Sequence, residues 1–193
     1  MARLLIHIFS FWSFNIKGWR FINKIPITEK RYVLLAAPHT SNWDFYYALL
    51  SFHKMKIPVR FTIKKEWLKW PFKSIMENFG AIGIDRSSGK KQFSSVDAMK
   101  NLFEENQDLI VCITPEGTRK RNPQWKTGFY HVAVGANVPI ALGHLDYKNK
   151  TSGIHELFYP TGNQEADMKY IMQFYKNGNA KFPEKFALDE RYR

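Results

Sequence analysis

The sequence predicts a single α/β domain, built on a mixed, mostly parallel sheet flanked by helices. Short apolar or β-branched runs alternate with longer helical ones along the 193 residues, which is the pattern of a layered α/β architecture. An apolar share of 45%, with 16% aromatic residues, is sufficient for a sizeable core. No Gly/Ser run, Pro-rich stretch or internal repeat separates two cores, so we expect one globular domain.

The first 22 residues predict an amphipathic helix. Polar residues recur at spacings of three and four in MARLLIHIFSFWSFNIKGWRFI, which places them on one stripe of a helix that is otherwise mostly Leu, Ile, Phe and Trp. The stretch between Arg3 and Lys17 covers only ~20 Å of a ~30 Å hydrocarbon core, so it is too short to span a bilayer. Its basic ends, together with Trp12 and Trp19, suit the headgroup boundary of a membrane.

We therefore assign residues 1–24 to a membrane-surface helix and residues 25–193 to the globular domain. Two alternatives remain open. A helix with a wide apolar face can instead pack on the core of the domain. The segment also resembles the early regions of a signal peptide, although no small residues at the spacing of a cleavage site follow it.

Five strands are predicted from short runs that are rich in Val, Ile and other apolar residues. They are Tyr32–Ala37, Val59–Ile63, Ala81–Ile84, Leu109–Thr114 and Pro139–Leu142. A hairpin is expected within GHLDYKNKTSGIHELFY.

Helical patterns separate or follow these strands. They are Asn42–Phe52, Glu66–Asn78, Lys91–Glu104, Thr127–Gly135 and Gln164–Asn177. Pro71 should interrupt the second of these helices, because proline can open a helical turn but cannot continue one.

The charge balance predicts an anionic partner. Lys and Arg number 29 against 17 Asp and Glu, a net charge of +12, which suits an anionic membrane surface, an acidic protein or nucleic acid. Nucleic acid is the less favoured partner, since the chain has no zinc-finger pattern, RNP-type motif or dense basic arm. Its single cysteine, Cys112, excludes a disulfide framework and indicates a reducing compartment. We expect a peripheral or monotopic protein at the cytoplasmic face of a membrane.

Three polar segments follow predicted strands. HTSNWD follows the first strand, DRSSGKK the third and PEGTRKR the fourth. Sites of α/β proteins lie at the loops that leave the strand ends, so we expect these segments to converge at one edge of the sheet.

The first segment contains a possible catalytic pair. If the helix starts near Ser41, His39 lies in the preceding turn and Asp44 in the first helical turn, where its carboxylate can reach back to the imidazole. Such a carboxylate fixes the tautomer of the ring and leaves the other ring nitrogen to take a proton from an alcohol. The alternative is a capping box, in which Asp44 only caps the helix.

The other two segments contain possible anion-binding arginines. In PEGTR, Gly117 would let the backbone approach a phosphate, and the Arg119 guanidinium would bind it through two hydrogen bonds. Arg86 in GIDR has the same potential. The alternative for each is a turn that carries a solvated arginine.

Together these segments resemble a known family. HTSNWD as H-x4-D, then GIDR, PEGTR and VPIAL, are similar in order and approximate spacing to the four motifs of the glycerophospholipid acyltransferases, of which the lysophosphatidic acid acyltransferases are the best-known members. TIKKEWLKWPFKSIMENFGAIGIDR also looks like the segment that leads into the second motif of that family. The resemblance covers roughly Val33 to Leu142.

The resemblance implies an enzyme that moves a fatty acyl chain from acyl-CoA or acyl-carrier protein to a hydroxyl of a lysophospholipid such as 1-acylglycerol-3-phosphate. It implies His39 as general base and Asp44 as the carboxylate that orients it. The residues matched to acceptor binding are Arg86, Glu116, Gly117, Thr118 and Arg119. Neither a metal nor another cofactor is implied, and no acyl-enzyme, which agrees with the lack of HExxH spacing and of a GxSxG elbow.

One departure from the family affects the acceptor. The fourth motif continues as VPIALGHLDY, whereas the family more usually reaches a second proline after a few apolar residues. Because H-x4-D chemistry fixes the hydroxyl and the thioester but not the headgroup, an amino-acid-containing lyso-lipid is an alternative acceptor. A non-catalytic basic protein that binds a membrane or nucleic acid is the alternative from another class.

Overall fold

A computed structural model describes residues 16–26, 28–64, 73–78, 80–84 and 95–193, together with Trp12, Phe14 and Lys69. The described strands are β1 (Arg20–Asn23), β2 (Arg31–Ala37), β3 (Val59–Lys64), β4 (Ala81–Ile84), β5 (Leu109–Ile113), β6 (Ile140–Asp146) and β7 (Thr151–Phe158). The described helices are α1 (Asn42–Met55), α2 (Lys73–Asn78), α3 (Ser95–Glu105), α4 (Gly128–Ala136) and α5 (Gln164–Tyr175), followed by 3-10 turns at Pro183–Lys185 and Glu190–Tyr192.

The strands form one seven-stranded sheet in the order β1-β7-β6-β2-β5-β3-β4. All neighbouring pairs are parallel except β6 and β7, which form the expected hairpin. The prediction of a mixed, mostly parallel sheet in one α/β domain is confirmed. Because β6, β2 and β5 are adjacent and parallel, their carboxyl ends lie side by side at one edge of the sheet.

Both faces of the central strands are covered. Val33 and Leu35 of β2 pack on one side in a cluster with side chains of α3, α4 and α5. Tyr32 and Leu34 point to the opposite side, where Phe52 of α1 packs against them. This explains why β2 is a continuous apolar run, since a strand buried on both faces shows no alternation of polar and apolar residues.

Most predicted elements are found within a few residues of their expected bounds, and two expectations need comment. The helix predicted over residues 1–24 is wrong for Arg20–Asn23, which form edge strand β1 paired with β7. Gly153 permits this pairing, because a Cβ at that position would overlap the carbonyl oxygen of Ile22. Residues 1–11 lie outside the described residues, as does Pro71 with its expected interruption, while Trp12, Phe14 and Ile16 are helical.

The C-terminal segment braces the region that follows β5. Trp125 is buried, and its indole N–H donates to the carbonyl of Ala187 over 2.8 Å. The fully buried carboxylate of Asp189 accepts from the Trp125 backbone N–H and from the Arg191 guanidinium. None of the helices in the described part of the chain combines the length and apolar content that crossing a bilayer requires.

Candidate active site

The turn from β2 into α1 is held by a capping box. The Ser41 hydroxyl accepts from the Trp43 backbone N–H over 3.2 Å, and the Asp44 carboxylate accepts from the Ser41 backbone N–H over 2.7 Å. The same carboxylate oxygen accepts from the Thr40 backbone N–H over 2.6 Å. Asp44 therefore satisfies two backbone donors that the start of a helix would otherwise leave unpaired.

The capping carboxylate also faces His39. Asp44 Oδ2 lies 3.4 Å from His39 Nδ1, with Asp44 almost fully buried and His39 about a fifth exposed. The two interpretations of HTSNWD are thus compatible, since one carboxylate both caps α1 and contacts the imidazole. Its other oxygen, Oδ1, accepts from the hydroxyl of Tyr147 over 2.7 Å.

A second buried carboxyl group supports His39 from the turn that follows β5. The His39 backbone N–H donates to Glu116 Oε2 over 2.7 Å, and only 3% of Glu116 is exposed. Burial raises the pKa of Glu116 to about 8, and the nearby Asp44 charge adds to this effect, while the hydrogen bond from His39 opposes it. Glu116 was predicted to bind the acceptor, and this backbone contact was not foreseen from the sequence.

The remainder of PEGTR forms a tight turn. Gly117 has φ +67°, a left-handed conformation that favours glycine, and a Cβ there would lie 2.7 Å from Lys126 Cε. The Thr118 hydroxyl accepts from the Lys120 backbone N–H over 3.2 Å, while Arg119 is exposed. Arg86, the predicted arginine of the second motif, lies outside the described residues.

A cavity of about 710 Å³ adjoins these residues. His39, Asp44, Gly117 and Arg119 line it, so the structure brings together predicted residues from two of the three polar segments. Its apolar lining includes Leu34, Phe45, Leu49, Phe52, Phe61, Met76, Cys112 and Leu145. An apolar cavity of this size with a few polar groups at one wall suits a small amphipathic ligand.

Two further functional candidates escaped the sequence analysis. Lys126 lines the cavity beside Gly117, so the cavity lining contains a second cationic side chain in addition to Arg119. Tyr147 reaches Asp44 across 103 residues of sequence, a separation that no local pattern reveals. Within the part of the chain that the structure describes, no three His, Cys, Asp or Glu side chains are grouped as metal ligands would be.

Comparison with known proteins gives concordant matches. The family model described as Acyltransferase matches residues 18–141. A 1-acyl-sn-glycerol-3-phosphate acyltransferase of Salmonella typhimurium is 32% identical over 109 residues, which are 54% of this chain and 42% of that protein. Its counterpart in Haemophilus influenzae is 29% identical over 128 residues, 64% of this chain and 52% of that one. The chain thus spans about half the length of these relatives.

A solved structure supports the fold. The crystal structure of the 1-acyl-sn-glycerophosphate (LPA) acyltransferase PlsC from Thermotoga maritima superposes with a TM-score of 0.60. The match covers 90% of this chain and 76% of that one, at 18% sequence identity. The α/β architecture is therefore shared with that protein.

The buried Glu116 carboxyl should make stability depend on pH. Its folded-state pKa of about 8 lies above the ordinary value of 4.5, so the native state keeps a proton that the unfolded chain releases between these values. We expect wild type to lose stability relative to Glu116→Gln as pH rises from about 4.5 to about 8. The loss should be on the order of a few kcal/mol, since one pKa unit corresponds to about 1.4 kcal/mol.

Urea denaturation between pH 4 and pH 9 measures this difference in the free energy of unfolding. Glu104→Gln, a change of the same kind on the exposed side of α3, is the matched control. A difference between wild type and Glu116→Gln that stays constant across the range would show that Glu116 does not hold its proton.

Proposed function

Because this chain belongs to the acyltransferase family, whose model spans more than half of its length, we propose that it transfers a fatty acyl chain to a hydroxyl of a lysophospholipid. The donor is an acyl thioester, either acyl-CoA or acyl-carrier protein, and a representative acceptor is 1-acylglycerol-3-phosphate. The observation that carries this proposal is the contact of 3.4 Å between His39 and Asp44 at the wall of a largely apolar cavity.

His39 acts as general base. Its Nδ1 faces Asp44, which leaves Nε2 to accept the proton of the acceptor hydroxyl as the hydroxyl oxygen bonds to the thioester carbonyl carbon. The tetrahedral intermediate then collapses, the carbon–sulfur bond breaks, and His39 returns the proton to the leaving thiolate. Asp44 stabilises the imidazolium that exists between these two proton transfers. A thioester is already activated, so this route needs no acyl-enzyme.

Basic residues at the cavity wall bind the phosphate of the acceptor. Arg119 supplies a guanidinium suited to two parallel hydrogen bonds with phosphate oxygens, and Lys126 adds an ammonium group beside it. Gly117 and Thr118 shape the turn that presents Arg119. Arg86 keeps its predicted role in acceptor binding as part of this proposal.

The same edge of the domain faces an anionic membrane surface at the cytoplasmic side. We define the Trp43 patch as Trp43, Phe45, Lys17 and Lys181. Trp43 and Phe45 are 48% and 39% exposed, and the ammonium groups of Lys17 and Lys181 lie 5.6 and 5.0 Å from the Trp43 ring centroid. Exposed aromatic rings flanked by lysines suit the headgroup region. Phe45 also lines the cavity, which supports a lipid surface next to the site.

Replacement of His39 should abolish transfer. General-base catalysis typically contributes about 10²- to 10⁴-fold, so we expect His39→Ala to lower kcat by at least two orders of magnitude with the fold intact. The assay measures acyl transfer to a panel of lyso-lipids, including an amino-acid-containing one, from both thioester carriers. His131→Ala, on the exposed side of α4, is the matched control. Substantial transfer by a folded His39→Ala protein would refute the assignment, as would a wild-type protein inactive with the whole panel.

Replacement of Arg119 should weaken acceptor binding. A hydrogen bond to a charged group contributes about 1.5–3 kcal/mol, so Arg119→Ala should raise the acceptor KM by roughly 10- to 100-fold with a smaller change in kcat. Steady-state kinetics with a phosphate-bearing acceptor and with a neutral monoacylglycerol separate the two parameters. The increase should be confined to the phosphate-bearing acceptor, and Lys120→Ala should show none. An equal effect on both acceptors argues against a phosphate contact.

Replacement of Trp43 should weaken membrane binding. Transfer of a half-exposed aromatic side chain into the interface is worth about 1–2 kcal/mol, so Trp43→Ser should lower the affinity for vesicles of mixed neutral and anionic phospholipid by roughly 5- to 30-fold. Vesicle sedimentation measures this affinity. Tyr159→Ser is the matched control, because Tyr159 is 64% exposed and follows β7 at the opposite edge of the sheet. Equal losses in both variants would exclude a specific role for the Trp43 patch.

A further inference from the structure

Tyr147 contacts Asp44 from the carboxyl end of β6, which lies next to β2 in the sheet. It directly follows β6, and its hydroxyl donates to Asp44 Oδ1 over 2.7 Å, while Asp44 Oδ2 faces His39. We propose that Tyr147 is a positioning residue, which orients the Asp44 carboxylate toward His39 and adjusts the basicity of the imidazole. This inference rests on the proposed acyl transfer for its role in catalysis, but its geometry stands without it.

The hydrogen bonds of Asp44 show why a further donor is needed. Both backbone donors, from Thr40 and Ser41, are directed at Oδ2, the oxygen that also faces His39. The terminal torsion of an aspartate has only broad energy minima, so the plane of the carboxylate is set by its hydrogen bonds. The Tyr147 hydroxyl engages Oδ1, and with both oxygens held the plane of the carboxylate is defined.

Tyr147 is itself held firmly enough to position a neighbour. Its ring packs edge-on against Trp19, with centroids 5.2 Å apart, and against Tyr47 at 5.9 Å. Trp19 and Tyr47 stack on each other at 4.2 Å, so the three rings form one aromatic cluster. The Tyr147 backbone N–H also donates to the Asn179 carbonyl over 2.9 Å. The position of the hydroxyl is therefore set by packing that does not involve the site.

The hydroxyl has an electrostatic effect as well as a geometric one. A donor on Oδ1 draws negative charge away from the oxygen that faces His39, which weakens the attraction of Asp44 for a proton on the imidazole. Among the described residues, the other ionisable neighbours include Glu116 at the His39 backbone, Tyr47 and Lys181 at the Tyr147 ring, and His144, Arg119 and Lys126 in the cavity lining. All of them stay in place when only the Tyr147 hydroxyl is removed.

The decisive variant is Tyr147→Phe, which deletes the hydroxyl and keeps the ring. Tyr130→Phe is the matched control, because the Tyr130 hydroxyl donates to the buried Asp167 over the same 2.7 Å. Asp167 also accepts from the hydroxyl of Thr161, which follows β7 at the edge of the sheet opposite to His39. Each variant loses one tyrosine–aspartate hydrogen bond, so both should lose similar thermal stability. Only Tyr147→Phe should change the pH titration of the His39 ring.

The first measurement is the NMR titration of the His39 ring, assigned with His39→Ala, and it requires no activity. We expect its midpoint to move to higher pH in Tyr147→Phe and to stay unchanged in Tyr130→Phe. The second measurement is kinetic. Tyr147→Phe should lower kcat about tenfold with an unchanged acceptor KM, and move the acidic limb of the kcat/KM profile in the same direction as the ring titration.

Two results would overturn the role of Tyr147. One is a His39 titration that is unchanged, or moved to lower pH, in Tyr147→Phe. The other concerns the double variant that combines Asp44→Asn with Tyr147→Phe. Because Asp44→Asn lacks the carboxylate, Tyr147→Phe should cause no further loss of kcat in that background, and an additive loss would contradict the proposal. If the wild-type protein transfers no acyl chain, the proposed function fails, while the NMR titration still decides whether Tyr147 acts on His39 through Asp44.

Discussion

The contacts made by the Asp44 carboxylate are the interactions on which the rest of the site depends. It accepts the backbone N–H groups of Thr40 and Ser41, which fixes the turn between β2 and α1, and it lies against His39 Nδ1. A single buried side chain thereby couples the start of a helix to the orientation of an imidazole. Since removal of the carboxylate would release both at once, the helix cap and the proposed role toward His39 belong to the same side chain.

The sheet topology explains how distant segments reach this carboxylate. The adjacent parallel strands β6, β2 and β5 end at one edge and deliver Tyr147, His39 and Glu116 respectively. The two buried carboxyl groups are in different surroundings. Asp44 accepts three hydrogen bonds, whereas Glu116 Oε1 has no partner among the described residues, and Glu116 is the group whose pKa burial raises.

Sequence patterns predicted what depends on local chemistry. The capping box at Ser41 and Asp44 uses residues three positions apart, and β2 is long and apolar enough to be recognised alone. β1 escaped recognition because its residues continue the helical spacing of the N-terminal segment, and only pairing with β7 makes them a strand. Tyr147 and the backbone contact of Glu116 escaped because they join residues 103 and 77 positions apart. Such contacts are set by the arrangement of strands, which single-sequence periodicity does not encode.

The N-terminal segment has both an exposed face and a face that supports the candidate site. Phe14 and Trp19 are buried against Tyr47, whereas Trp12 and Ile16 are 60% and 63% exposed. Packing on the core was one of the alternatives in the sequence, and it is observed for one face of the described residues of this segment, while the other face is exposed. Trp19 belongs to the aromatic cluster that holds Tyr147, and Tyr147 holds Asp44. The geometry of the His39–Asp44 pair is thus supported by the same segment that leaves Trp12 and Ile16 exposed. If the proposed function holds, loss of that segment should lower acyl transfer even with a soluble acceptor.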